Sequence, residues 1–115
     1  MTEECIFCKI VAGDASATVE GENDHAMAFA SIDPVAEKHI LIVPKKHIAN
    51  FGDISKEDKD VTFAMVELVQ KLVSDLDMSS GYKIAVNGGS YQVVPHLHWH
   101  LLAGKFEDKD ALNRI

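Results

Sequence analysis

Three histidines alternate with apolar residues in the segment VPHLHWHLL, at positions 96, 98 and 100. In a β-strand, successive side chains point to opposite faces, so the three imidazoles would share one face. The leucine and tryptophan residues between them would share the other face. The pattern therefore predicts a strand with an apolar face for the core and a histidine face that can line a cleft.

A row of imidazoles with this spacing favours chemistry on an extended anionic group over the binding of one metal ion. His96 and His100 would lie roughly 13 Å apart along a strand, too far for the three rings to surround one ion readily. Neutral imidazole is nucleophilic near pH 7, since its unperturbed pKa is about 6.5. Phosphorus is its natural target, because a phosphoramidate intermediate divides one difficult substitution into two easier steps. The alternative is that the histidines only form a polar outer face of the sheet.

The two cysteines, Cys5 and Cys8, form a C-x-x-C motif. A permanent disulfide is not expected in a reducing compartment. A thioredoxin-like motif would follow a strand and begin a helix, and the sequence predicts no strand before Cys5. Metal binding is therefore favoured, with redox exchange and a pair of inert thiols as the alternatives.

Apolar periodicity predicts the elements that must position these side chains. A short helix is expected over residues 5–12, and a long amphipathic helix over about 56–77 with Ser55 as its N-cap. Strands are expected at 18–20, 25–31, 39–43, 82–86 and 96–102. This pattern indicates an α+β fold in which the long helix lies on one face of a five-stranded antiparallel sheet.

Two apolar side chains of the predicted long helix, Phe63 and Val66, fall off its main apolar stripe. Dimerisation would explain them, and so would a broad stripe that faces the core. Trp99, on the apolar face of the histidine strand, is expected to pack beneath the helix.

Length and charge limit the classes of function. The chain has 115 residues, of which 47% are hydrophobic, so we expect a single domain over residues 1–115. The formal net charge of −7 argues against binding to a long nucleic acid, which needs a basic surface. The sequence shows no apolar run long enough for a membrane span and no secretory signal pattern. A cytoplasmic protein is therefore expected.

The segment His96–Leu102 resembles the His-φ-His-φ-His-φ-φ signature of the histidine-triad (HIT) superfamily of nucleotide hydrolases and transferases. Other segments are similar to its Hint-type branch, in the same order along the chain: CIFCKI, AFASIDP at 28–34, HILIVPKKH at 39–47, and Asn87 with Gln92. The resemblance covers nearly the whole chain. It implies a HIT-like fold, with five antiparallel strands, a long helix and a short N-terminal helix, assembled as a homodimer.

The resemblance implies a phosphoramidase that acts on purine nucleotides, derivatives of AMP or GMP. His98 would attack the α-phosphorus of a nucleoside 5′-monophosphate derivative and form a transient nucleotidyl-histidine, which water then resolves. His100 would donate a hydrogen bond to a phosphate oxygen or assist the leaving group, with His96 as the third member of the catalytic set. Asn87 and Gln92 would supply neutral polar contacts around the phosphate.

Further positions match the nucleoside site of the Hint-type branch. Phe7, Ile10, Phe29 and Ile32 would form an apolar slot for the base, although ordinary core packing is an equal alternative. Ser31 stands at the position that contacts the ribose hydroxyls.

Many relatives with a C-x-x-C motif at this place carry a structural zinc ion. By this resemblance Cys5, Cys8, His47 and His96 would be its ligands, a Cys₂His₂ set that suits a closed tetrahedral site. Zinc on His96 would then connect the histidine strand to the N-terminal segment and hold His98 in place. The alternative for His47 is a hydrogen bond near the triad.

Three features depart from the Hint-type pattern. Ser31 replaces an acidic residue at the ribose, and Val93 replaces a serine near the scissile bond. The tail FEDKDALNRI replaces a Trp-Pro-rich C-terminus. These changes favour a second hypothesis, a slow or inactive zinc-containing nucleotide-binding protein. A third, a hydrolase with a catalytic metal on the histidines, predicts that a chelator abolishes activity.

Overall fold

The computed structural model describes residues 5–115, and its centre is a five-stranded antiparallel sheet in the order β1-β2-β3-β5-β4. The strands are β1 Val19–Glu22, β2 Ala26–Ala30, β3 Ala36–Pro44, β4 Lys83–Val86 and β5 Trp99–Phe106. A short helix α1, Ile6–Ala12, precedes the sheet, and a long helix α2, Lys59–Asp75, connects β3 to β4. The predicted α+β architecture is confirmed.

The start of α2 is fixed by a buried carboxylate. Asp58 accepts a hydrogen bond from the Ser55 backbone N–H at 3.0 Å and pairs with Lys46 Nζ at 2.5 Å. The predicted helical stretch thus opens with a 3₁₀ turn, Lys56–Asp58, and its α-helical part ends two residues earlier than predicted. Between residues 5 and 115, the helices are too short or too polar to cross a bilayer.

The two faces of the sheet bury different cores, as the period of two in its strands requires. One face packs against the apolar stripe of α2, and the predicted position of Trp99 beneath the helix is confirmed. The opposite face, which we call the α1 face, is partly covered by α1. Its buried residues are Cys5, Phe7, Met27, Phe29, Leu41 and Val43.

The strand that carries the histidines ends at Phe106, four residues later than predicted. Leu97 N–H donates to Ile48 O at 2.7 Å, outside the ladder, and pairing with β3 begins at Trp99. Pairing continues past Leu102 because Gly104, at φ +81°, lets the strand pass Glu37. The side chains still alternate, since Leu97 packs in the core beneath α2 while His98 and His100 line the opposite face.

Candidate functional site

A cavity of about 410 Å³ lies on the α1 face of the sheet, between α1, the loop after β2 and the segment that leads into β5. Most of its lining is apolar. The polar and charged residues of the lining are Ser16, Ser31, Asp33, His39, Asn87, His98, His100 and Arg114. The cavity therefore combines an apolar slot with a group of histidines at one wall.

His98 is held in one tautomer by its own backbone. Its Nδ1 donates to the carbonyl oxygen of His96 at 2.7 Å, and a carbonyl can only accept, so Nδ1 carries the hydrogen. Burial lowers the pKa of His98, and the hydrogen bond to His96 opposes that effect only partly. The ring is therefore neutral at pH 7, with the lone pair on Nε2 available in a side chain that lines the cavity.

His39 and His100 form a hydrogen-bonded pair whose polarity is set by a backbone donor. The Val35 N–H donates to His39 Nδ1 at 3.1 Å, so the hydrogen of the neutral His39 ring is on Nε2. Nε2 of His39 lies 2.9 Å from His100 Nδ1 and donates to it. The hydrogen of His100 is consequently on its Nε2.

His100 therefore presents a donor where His98 presents a lone pair. Burial lowers the pKa of His100 to about 4, with a further contribution from His98 and His39, so its ring is neutral at pH 7. Among the described residues, His100 Nε2 is buried without a hydrogen-bond partner. The two ring centroids are 5.1 Å apart. A phosphate group that contacts both rings would meet a nucleophile on one ring and an N–H donor on the other.

Phe7 connects the apolar slot to the histidines. Its ring makes edge contacts with Phe29, His96 and His98, at centroid distances of 5.4, 5.8 and 5.1 Å. Ile10 and Phe29 also line the cavity. These three apolar residues lie together, as a slot for a flat base requires.

Other predicted site residues differ in their position relative to the cavity. Ser31 and Asn87 line it, and Ile32 lines its mouth with a fully exposed side chain. Gln92 is outside the lining, because its Nε2 donates to Ala49 O at 2.6 Å. His96 is also outside the lining, with both ring nitrogens engaged elsewhere.

A second group of side chains, outside the cavity lining, consists of the four predicted metal ligands. The potential ligand atoms of Cys5, Cys8, His47 and His96 all lie within 4.8 Å of one another. His96 Nδ1 is 3.2 Å from Cys5 Sγ and 3.5 Å from Cys8 Sγ, and His47 Nδ1 is 3.2 Å from Cys8 Sγ. Tetrahedral zinc with ordinary bond lengths places its sulfur and nitrogen ligands roughly 3.5 Å apart. The cluster could therefore hold a metal ion.

Two further features suit this cluster to a cation. His96 Nε2 donates to Pro44 O at 2.9 Å, so the Nδ1 lone pair points at the thiols, as a metal ligand requires. Burial, together with the hydrogen bond and charge of Cys5, raises the pKa of the Cys8 thiol to about 11. A divalent ion bound by both sulfurs would supply the positive charge that lets them ionise.

Sequence reasoning missed His39 and Arg114. Leu41 pairs with His100 in the sheet, and His39, two residues earlier, shares its face and therefore the cavity. Strand alternation would have indicated this only once the register of β3 against β5 was known. Arg114 lines the cavity from a C-terminal 3₁₀ turn, Ala111–Arg114, that no periodic pattern marked.

We expect acid to destabilise the fold through the buried histidines. Burial lowers the pKa of His98 and His39, and that of His100 to about 4, from an ordinary value of 6.5. Below pH 6.5 the unfolded chain therefore binds protons that the folded chain does not. The free energy of unfolding keeps its full value above pH 6.5 and decreases as the pH falls toward 4. Thermal unfolding should show Tm falling by roughly 10 °C between pH 7 and pH 5.

The matched variant for this prediction is His100→Asn. It should show a smaller fall in Tm over the same interval, whatever its stability at pH 7. A Tm that stays constant or rises on acidification in the wild-type protein would contradict the prediction.

Comparison with known proteins finds a matching family and similar structures. A family model described as the HIT domain matches residues 12–107. An uncharacterized HIT-like protein of Mycoplasma genitalium is 39% identical over 104 residues, which cover 88% of this chain and 73% of that protein.

Two solved structures are also similar. A HIT family hydrolase from Legionella pneumophila Philadelphia 1 superposes with a TM-score of 0.86 at 37% identity, covering 94% of this chain and 99% of the other. A histidine triad nucleotide-binding protein from Candida albicans has a TM-score of 0.81 at 34% identity, covering 90% of this chain and 77% of the other.

Proposed function

This chain belongs to the HIT-domain family, and from that membership we propose that it is a nucleotide phosphoramidase, a hydrolase acting at the α-phosphate of nucleoside 5′-monophosphate derivatives. The observation that carries the proposal is the pairing of opposite roles in two adjacent neutral rings. His98 offers a lone pair on Nε2, and His100 offers an unpaired N–H. The similar Legionella and Candida proteins, a HIT family hydrolase and a histidine triad nucleotide-binding protein, agree with it.

The reaction has two displacements at phosphorus. His98 Nε2 donates its electron pair to the α-phosphorus, the P–N bond to the leaving amine breaks, and the amine takes a proton from solvent. Water then attacks the nucleotidyl-histidine and releases a proton to solvent, the bond from phosphorus to Nε2 breaks and its electron pair returns to the ring. His100 Nε2–H donates to a phosphate oxygen on which negative charge develops and so stabilises that charge.

The nucleoside would occupy the rest of the cavity. A purine base would lie in the slot of Phe7, Ile10 and Phe29, against their aromatic and aliphatic carbon. Ser31 would contact the ribose hydroxyls with one neutral hydroxyl, and Asn87 would contact the phosphate. AMP and GMP derivatives are therefore the proposed substrates.

The metal of the Cys₂His₂ cluster is, in this proposal, a structural zinc ion. Cys5, Cys8, His47 and His96 would hold it, and four protein ligands complete a tetrahedron with no position for a reactive water. When bound, zinc would contribute folding free energy and no chemistry at phosphorus. This ligand set favours a structural metal over the hydrolase with a catalytic metal.

The proposed assembly is a homodimer through the free edge of β4. Phe63 on α2 and Ile84 and Val86 on β4 are exposed apolar side chains, and they lie on the same side of the sheet. Covering them with a second copy would remove this apolar surface from water. Sedimentation should give about twice the mass of the chain, and Phe63→Asp should give the monomer; a wild-type monomer at micromolar concentration would contradict the dimer.

The test of the activity is intact-protein mass spectrometry after rapid, acid-free quenching of a reaction with adenosine 5′-phosphoramidate. A transient adduct of nucleotide mass is expected in the wild-type protein and not in His98→Ala. Nucleotide binding without adduct or turnover would replace the proposal with the slow or inactive nucleotide-binding protein. The position of Val93, an exposed apolar residue in the cavity lining, favours that second candidate.

A further inference from the structure

The chain's own tail forms one wall of the cavity. Ala111, at the start of the C-terminal turn, is fully buried against Val35 and Leu102, and Ile115 packs on the same cluster. These contacts hold the turn against the sheet. Arg114 is thereby placed in the lining of the cavity.

Arg114 gives the cavity a charge that the histidines do not. Within residues 5–115, it is the one lysine or arginine in the lining, and Asp33 is the one acidic side chain. His39 and His100 are neutral at pH 7 because burial lowers their pKa values. Arginine stays protonated in proteins, so Arg114 is the permanent cation of this cavity.

The position of Arg114 relative to the nucleophile identifies the part of the substrate it can reach. His98, His100 and Leu102 follow one another along the same face, and the tail packs on Leu102. Arg114 therefore lies toward the His100 end, away from His98. The base slot lies at the other end, because Phe7 contacts His98 at a centroid distance of 5.1 Å, so the group on the far side of the phosphate would extend toward Arg114.

We propose that Arg114 is a specificity-determining residue that binds an anionic group, a carboxylate or phosphate, carried by the leaving group. This inference rests on the proposed function. Guanidinium matches both anions with two parallel N–H donors. Arg114 uses one N–H toward Glu107 and one toward Asp108, so three of its five remain.

Glu107 and Asp108 orient Arg114, but their ion pairs leave its guanidinium able to bind another anion. Their side chains are 60% and 54% exposed. Exposed ion pairs contribute little free energy because water screens them. The Arg114 side chain is itself 41% exposed, so these pairs exchange readily, and an anion that offers two oxygens to the guanidinium can compete with them.

The experiment compares two adenosine 5′-phosphoramidates, whose amines are β-alanine and β-alanine methyl ester. We expect wild-type kcat/KM to be about 10-fold higher for the acid than for the ester, and Arg114→Gln to bring this ratio close to 1. Lys109→Gln is the matched control, since Lys109 is exposed in the same tail, outside the cavity lining, and the charge change is equal. A wild-type ratio near 1, or a ratio that Arg114→Gln leaves unchanged, overturns the proposal.

A third compound tests whether Arg114 instead binds an anion on the ribose. If Arg114→Gln instead removes a preference for adenosine 3′-phosphate 5′-phosphoramidate, Arg114 serves the ribose and the leaving-group assignment is wrong. If the wild-type protein hydrolyses none of the compounds, the proposed function has failed. The acid-to-ester ratio of Kd values, measured on His98→Ala by calorimetry, then decides the role of Arg114, and equal Kd values overturn it.

Discussion

His98→Ala is expected to lower kcat for adenosine 5′-phosphoramidate by roughly 10⁴-fold or more. The loss is large because no other described ring can replace His98 as the nucleophile. His100 Nε2 carries a hydrogen, as its bond from His39 requires. His96 Nδ1 faces the cysteines, outside the cavity.

Steady-state kinetics with calorimetric binding of AMP will separate this loss from misfolding. Nucleotide affinity should change by much less than kcat, because the apolar slot is made by other residues. His25→Ala is the matched control, since His25 is exposed and outside the cavity lining. Undiminished hydrolysis by His98→Ala would mean that the nucleophile assignment is wrong.

Cys5→Ser is expected to cause the largest loss of stability, with Tm falling by more than about 10 °C. Cys5 Sγ accepts the Cys8 backbone N–H at 3.4 Å and so caps α1. Serine can keep this capping hydrogen bond. The variant therefore removes a thiolate ligand with little change in the helix cap, and the loss in Tm reports the metal.

Metal analysis and thermal unfolding with and without a chelator test this expectation. The wild-type protein should contain about one zinc ion per chain, and a chelator should lower its Tm toward that of Cys5→Ser. The chelator should have little effect on Cys5→Ser itself. A wild-type protein that binds no zinc, or whose Tm is unaffected by the chelator, would contradict the zinc proposal.

Local spacing made much of the site predictable from sequence. Alternation separated Leu97 and Trp99 from His98 and His100, and these residues do lie on opposite faces. The resemblance brought together a ligand set from three distant segments, and the structure confirms the cluster. Both kinds of signal are carried by residue types at fixed positions.

The remaining features depend on how distant segments meet. The bond between His39 and His100 joins residues 61 positions apart and requires the register of β3 against β5. The tautomers follow from backbone groups of Val35, Pro44 and His96, which have no signature in the sequence. Gln92 turns toward Ala49 because a loop carbonyl lies within reach, a contact that residue type alone does not indicate.

The position of Phe7 limits how this fold can vary. One ring lies between two potential metal ligands in sequence and touches His96, His98 and Phe29 in space. A change of its size would alter base fit, the nucleophile's packing and the metal cluster together. A change in base preference is therefore easier through Ile10, which lines the same slot, because Phe7 is shared by two sites.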